Sequence, residues 1–354
     1  MKPEAFAPAV LAWYHEHGRK DLPWQQDTTP YRVWVSEIML QQTQVTTVLD
    51  YFTRFMQRMP SVEKLAAAPL DEVLHLWTGL GYYTRARNLH KTAQIICDTY
   101  QGELPRCAAT LATLPGIGPS TAGAIASLSM ELRAPILDGN VKRVLARYSA
   151  ETHYPGSSQA SKRLWQLSEQ LTPYSEVAAY TQAMMDLGAT LCTRRQPDCA
   201  RCPVSAGCLA YATEQQHLLP APRPRKTLPV KQVTMPLLVN QDDDILLQQR
   251  PNSGIWGGLW SLPELSDIQG LAPLLEHYQL SSAQQQSLEP VRHTFSHFHL
   301  DIEPWLIRVQ SGSQLAVAEH NWLWYNPINP PRLGLAAPIK ALIERELNTL
   351  QQEI

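Results

Sequence analysis

The sequence predicts an all-α domain followed by a smaller α+β domain, and three observations support this. From Ala5 to about Tyr211 the apolar residues recur at helical spacing, as in Val35, Ile38, Met39, Val45, Val48, Leu49, Phe52, Phe55 and Met56. Prolines and basic residues then dominate Leu219-Pro220-Ala221-Pro222-Arg223-Pro224-Arg225-Lys226-Thr227-Leu228-Pro229. Beyond that stretch the apolar runs are short and strand-like.

The elements follow in order. Pro60, Pro69, Pro105, Pro115, Pro155 and Pro173 cut the first region into many short helices, because proline lacks the amide donor that a helix interior needs. The proline-rich stretch cannot enter a regular helix or sheet for the same reason, so 217–231 is expected to be an extended linker between domains 1–216 and 232–354. Past it, Val233 to Val239, Ile245 to Gln249, Val291 to Thr294, His299 to Ile302 and Trp322 to Tyr325 read as strands, and Ala337 to Leu347 as a helix.

A length of 354 residues allows two or three domains, each with its own core. No apolar run approaches the roughly 18 residues of a spanning helix, and Glu4 and Pro8 break the N-terminal apolar stretch, so a cytoplasmic chain with no membrane partner is expected. The net charge of −2 argues against nucleic acid only until it is divided by region. Residues 1–216 carry 20 basic and 19 acidic side chains, 217–231 carry 4 and 0, and 232–354 carry 6 and 13, giving +1, +4 and −7. The acidity is C-terminal, which leaves Arg85, Arg87, Lys142, Arg143, Arg194, Arg195 and the linker to meet phosphates. On charge alone, a mixed solvated surface is an equal reading.

Four of the six cysteines fall together, as Cys192-x6-Cys199-x2-Cys202-x5-Cys208. Such crowding in a cytoplasmic chain favours a metal site over disulfides, and four thiolates suit either tetrahedral zinc or an iron–sulfur cluster. Upstream, Leu111-Ala112-Thr113-Leu114-Pro115-Gly116-Ile117-Gly118-Pro119-Ser120 joins two helical stretches through a glycine-rich turn. Gly116 and Gly118 would let main-chain amides approach a phosphate, although such turns are often plain connectors. Asp138 stands just before the apolar stripe Val141, Val144, Leu145, Tyr148, where an aspartate is ordinarily a helix cap. Glu37 is a helical glutamate, ordinarily solvated, but its neighbours Trp34, Val35, Ile38 and Met39 are apolar, and partial burial would raise its pKa.

The cysteine spacing, the hairpin of 111–125 and the two acids, in this order, resemble the helix-hairpin-helix, iron–sulfur DNA glycosylase superfamily, and within it the adenine glycosylases. The resemblance covers nearly the whole chain. It implies an all-α helix-hairpin-helix glycosylase domain with an iron–sulfur loop at 192–208, then an α+β Nudix-like lesion-recognition domain. The four cysteines would hold a structural [4Fe-4S] cluster bracing a loop that bears Arg194, Arg195 and Arg201. Glu37 would protonate the purine, and Asp138 would stabilise the oxocarbenium-like sugar. Ser120 occupies the position of the lysine nucleophile in strand-cutting relatives, so the resemblance implies monofunctional hydrolysis. Lys142, one turn past Asp138, would be a charge partner or phosphate contact.

Adenine-pocket positions match Trp24, Leu40 and Gln182, each as easily structural on the residues alone. The elements that wedge into the duplex match Gln41, Gln42 and Tyr82, with Gly81 marking an exposed loop. Arg292-His293-Thr294-Phe295-Ser296-His297-Phe298-His299 matches the loop that reads 8-oxoguanine, with Phe295, Ser296 and His297 placed on the oxidised base. The alternating histidines lack carboxylates at ligand spacing, which argues against a metal there. No Arg-Glu-x-x-Glu-Glu run follows Gly257-Gly258-Leu259-Trp260, so the second domain is expected to bind rather than hydrolyse. The implied partner is duplex DNA carrying adenine opposite 8-oxoguanine or guanine, met by a monomer.

Overall fold

The computed structural model describes residues 3–224, 227–251, 253–311 and 321–352. The chain forms two compact units: Met1–Ala67 with Asn88–Arg225, and Ala68–Arg87 with Lys226–Ile354. The segment 68–87, expected inside the first domain, thus belongs with the C-terminal third, and the division falls within the helix Thr84–Tyr100.

The first unit is helical among its described residues. Its apolar stripe resolves into two helices, Pro30–Leu40 and Val45–Arg58, separated at Gln42, whose φ of +59° is left-handed. Thr29 caps the first by accepting from the Arg32 amide, and Pro30 supplies a preset φ at the first helical position. The unit's core gathers Phe6, Val10, Leu137, Val141, Leu145 and Leu187, with Cys192 and Cys202 packed against its edge.

Three helices frame the candidate site: Pro119–Met130, Gly139–Tyr148 and Val177–Asp186. The first packs against Pro30–Leu40, and the last against Gly139–Tyr148. Two close approaches require glycine. A Cβ on Gly123 would lie 2.3 Å from the Pro135 carbonyl oxygen, and one on Gly188 would lie 2.6 Å from the Asn140 Cβ. Gly188 belongs to a π-helical turn, Leu187–Leu191, that leads into Cys192.

The second unit is built on a seven-stranded mixed sheet. Its strands are β1 Val230–Val239, β2 Ile245–Gln249, β3 Trp260–Ser261, β4 Leu280–Ser287, β5 Val291–Thr294, β6 His299–Ser311 and β7 Trp322–Tyr325. The main order is β3-β2-β1-β6-β4, with β5 on β6 and β7 on β2. β1 runs parallel to β6, from Val230 opposite His299 to Val239 opposite Arg308, and the other pairs are antiparallel. Leu238, Leu246, Ile307 and Val309 form one face of the core, against Leu271 and Leu275 of the helix Leu271–His277. The helix expected at 337–347 is present and longer, Ala337–Gln352.

The linker differs from expectation at both ends. β1 begins at Val230, and Leu219 is buried with its carbonyl held by Arg147, so among the described residues of 217–231 only 221–224 and 227–229 lie between these two anchors without regular structure. No helix among the described residues is long and apolar enough to cross a membrane.

Gly123→Val is expected to destabilise the protein by about 2–4 kcal/mol, since overpacking here meets rigid backbone. An unchanged thermal unfolding midpoint would contradict this packing.

Candidate active site

Asp138 closes a short extended segment that two serines hold from either side. The Leu137 amide donates to Ser120 Oγ at 2.9 Å, and the Ile136 carbonyl accepts from the buried Ser168 hydroxyl at 2.7 Å. Asp138 then caps the helix Gly139–Tyr148, its Oδ1 accepting from the Val141 amide at 2.8 Å. The ordinary role of such an aspartate, a helix cap, is therefore present. Helix N-terminal amides favour the charged form of a carboxylate.

Glu37 sits on the last full turn of Pro30–Leu40, between the buried Ser36 and Ile38 and one turn from the buried Trp34. It keeps some solvent contact, yet burial pushes its carboxyl up to about 8, and the negative charge of Asp138 adds to the rise. Burial also raises Asp138, but the Val141 and Asn140 amides and the Arg143 guanidinium all pull the other way. Both carboxyls are raised, and at Asp138 main-chain amides and a guanidinium oppose the rise.

The remaining positions divide sharply. Gly116 and Gly118 are exposed, and Gly116, at φ +78°, leaves no room for a Cβ, which would lie 2.8 Å from Asn88 Cβ. Gly118 opens the helix Pro119–Met130 with no side-chain cap, leaving its first amides available to an anion. Gln41 leans on this hairpin, its Nε2 3.3 Å from Thr121 Oγ1, whereas Gln42 is exposed. Lys142 is half-buried on the capped helix. Trp24 is buried edge-on against Phe52, and Leu40 is half-buried. Gln182 is buried and donates to Asp186 Oδ1 at 3.0 Å. Arg19 grips the same Asp186 with two guanidinium bonds of 2.9 and 2.6 Å and one from its amide. Asp186 is buried and Arg19 half-buried, and the pair leaves no sequence signal because its members lie 167 positions apart.

The expectation of free arginines fails at three positions. Arg85 is buried, Arg87 donates to the Gly257 carbonyl, and Arg143 donates to the carbonyls of Cys192 and Gly188 at 2.7 and 2.6 Å. Arg194 and Arg195 are exposed. Arg147 is fully buried and bonds the carbonyls of Thr193, Arg194 and Leu219 at 2.7, 3.1 and 2.8 Å, a role with no signal in the sequence. The helix that Asp138 caps therefore carries the clamps of the cysteine loop.

Cys192, Cys199, Cys202 and Cys208 line one cavity, with Arg147 Nη1 3.2 Å from Cys192 Sγ. Burial, reinforced by the other cysteines, pushes the Cys202 thiol up to about 12 and raises Cys199 and Cys208. No group of three or more side chains placed to hold a metal ion is found among the described residues. The number and common cavity of the four cysteines fit a group that takes four thiolates.

In the second unit, a cavity of about 970 Å³ is lined by Tyr82, Arg87, Trp256 and the turn His293–Phe298. The Phe295 amide donates to the Phe298 carbonyl at 2.9 Å, closing the turn between β5 and β6 and leaving Ser296 and His297 exposed at its tip. Phe295 stacks on the buried Phe298 at 4.7 Å and meets Trp256 at 5.5 Å. Tyr82 is 52% exposed. Trp256 had no sequence signal, since a left-handed tryptophan, here at φ +52°, follows no local rule.

Comparisons with known proteins agree with this architecture. Residues 35–170 match the model of the HhH-GPD superfamily base excision DNA repair proteins, and residues 234–345 match that of the NUDIX domain. The chain is 39% identical over 339 residues to an adenine DNA glycosylase of Buchnera aphidicola subsp. Acyrthosiphon pisum, spanning 96% of this chain and 97% of that one. It is 35% identical to the Homo sapiens adenine DNA glycosylase, spanning 90% and 70%. A thermostable thymine-DNA glycosylase shares the fold with a TM-score of 0.55 and 28% identity, covering 60% of this chain and 97% of that one. An endonuclease III in a non-covalent DNA complex does so with a TM-score of 0.52 and 21% identity, covering 61% and 99%.

Because Glu37 titrates above its ordinary value of 4.5, its burial weakens folding as pH rises from about 4.5 to about 8. Glu37→Gln is expected to raise stability at neutral pH, by an amount that grows across that window and vanishes below it. Asp138→Asn should lower the Glu37 pKa, measurable by carbon NMR of the labelled carboxyl.

Proposed function

Since the chain belongs to the adenine DNA glycosylases, within the HhH-GPD superfamily of base excision DNA repair proteins, we propose that it hydrolyses the N-glycosidic bond of adenine mispaired with 8-oxoguanine or guanine in duplex DNA. What supports the chemistry is the pair of acids in different settings, Glu37 pushed up to about 8 by burial and the Asp138 carboxylate accepting from the Val141 amide at its helix cap. Glu37 delivers its proton to the everted purine ring. The bond from the sugar C1′ to the base then breaks, with its electron pair leaving on the base. Asp138 stabilises the resulting oxocarbenium-like sugar, and water adds to C1′ and loses a proton. No covalent enzyme intermediate is required.

Ser120 supports this monofunctional course. A serine hydroxyl cannot form a Schiff base, and here it accepts from the Leu137 amide. Trp24, Leu40 and Gln182 are assigned to the adenine pocket, where the indole and leucine surfaces suit a flat base and the Gln182 carboxamide suits its edge. Gly116, Gly118 and the amides after them, with Lys142, are assigned to phosphate. Gln41, Gln42 and Tyr82 are assigned to the gap left by the everted base.

The turn Phe295–Ser296–His297 reads 8-oxoguanine, an aromatic ring offering a stacking face and the serine hydroxyl a hydrogen bond. Cys192, Cys199, Cys202 and Cys208 would hold a [4Fe-4S] cluster, which supplies a rigid brace for the loop bearing Arg194 and Arg195. The protein is read as a cytoplasmic monomer with double-stranded DNA as its partner.

Duplexes carrying adenine opposite 8-oxoguanine, guanine or thymine test the reading through release of free base, which should be fastest for 8-oxoguanine and absent for thymine. Asp138→Asn is expected to slow release about 10³-fold or more while mispair binding persists. In the wild type the rate should fall as pH rises through about 8, where Glu37 loses its proton. Borohydride trapping of the enzyme at the pace of base release would reject hydrolysis by water.

A further inference from the structure

We propose that Arg85 and Trp77 are positioning residues that form a rigid seat for Tyr82, fixing its ring in advance as the wedge of base extrusion; this rests on the role given to Tyr82 above. All three lie in one short stretch of the second unit. Tyr82 has a left-handed backbone, φ +49°, after Gly81 at +75° and Gly79 at +95°. An L residue other than glycine stays in that region only where its surroundings over-determine it.

Those surroundings converge on the Gly81 carbonyl, one peptide before the wedge. It accepts from the Trp77 indole N–H at 3.1 Å and from Arg85 Nη2 at 3.1 Å. Arg85 Nη2 also donates to the Leu80 carbonyl at 3.3 Å, and the Arg85 amide donates to the Tyr82 carbonyl at 2.9 Å. The guanidinium itself lies 5.4 Å from the Trp77 ring and 5.5 Å from the Tyr82 ring, so it touches both aromatic faces.

Exposure separates the roles. Trp77 is 0% exposed and Arg85 7%, while Tyr82 is 52% exposed. An arginine this deep, with its Nη2 turned onto two main-chain carbonyls, is not placed to meet phosphate. It instead holds Tyr82 in place before DNA arrives, so the ordering cost of insertion falls on folding rather than on binding. Lysine could keep the charge but not the flat face or the forked donors.

The test measures affinity for a duplex with adenine opposite 8-oxoguanine against a fully paired duplex, in the Asp138→Asn background so that no base is released. Tyr82→Ala should lower the ratio of the two affinities about tenfold. Arg85→Met should lower it similarly, the size of one desolvated cation–π contact, and the milder Arg85→Lys by less, since lysine keeps the charge and loses the forked donors. Combined with Tyr82→Ala, Arg85→Met should add less than about twofold, because a seat without its wedge has nothing to hold. Affinity for the paired duplex and the unfolding midpoint of Arg85→Lys report on the fold independently. A wild-type ratio in Arg85→Lys, or full additivity in the double variant, overturns the seat. An unchanged ratio in Tyr82→Ala instead overturns the wedge itself.

Discussion

The burial of two carboxyls, Glu37 and Asp138, is the constraint on which the candidate site depends. Either acid alone would find its own compromise with burial. Burial raises both, the charge of Asp138 adds to the rise at Glu37, and the helix-cap amides oppose the rise at Asp138. A capping hydrogen bond is worth about 1 kcal/mol to a helix. Here the same bond also favours the charged form of the Asp138 carboxyl against its burial.

Much of the helical unit can be read as support for that turn. Ser120 and Ser168 hold the segment that leads into Asp138, and Gly188 lets the π-helical turn approach Asn140 just after it. Arg143 and Arg147 leave the same helix to grip the carbonyls around Cys192. A short capped helix is thereby fastened at its start by hydroxyls and along its length by guanidiniums. Each arginine satisfies several carbonyls that would otherwise be buried unpaired, at a cost of about 1–3 kcal/mol apiece.

The helices, the cysteine cluster and five of the strands were legible from periodicity and spacing, because in each a local pattern and the final environment agree. β2, β5 and β7 begin and end where their alternation and turn residues place them. β4 was missed because, after Leu280, every residue of Leu280–Ser287 is exposed, so no apolar face announces it; only its pairing with β6 makes it a strand. The arginines were misjudged for a different reason. Charge near the glycine-rich and cysteine segments suggested phosphate contacts, but a guanidinium can equally satisfy carbonyls inside the fold, as Arg85 and Arg143 do. The Arg19–Asp186 bond to Gln182 joins residues from opposite ends of the helical unit, which no window along the chain could reveal.

The parallel pairing of β1 with β6 has a consequence for the nascent chain. Val230 meets His299 across 69 intervening steps of sequence (299 − 230), and β4 and β5 then add to the far strand. Loop closure of that span cannot be rewarded until β6 has left the ribosome, and such non-local sheets assemble slowly. The stretch 68–87, made among the first, must therefore wait through most of translation for the body it joins.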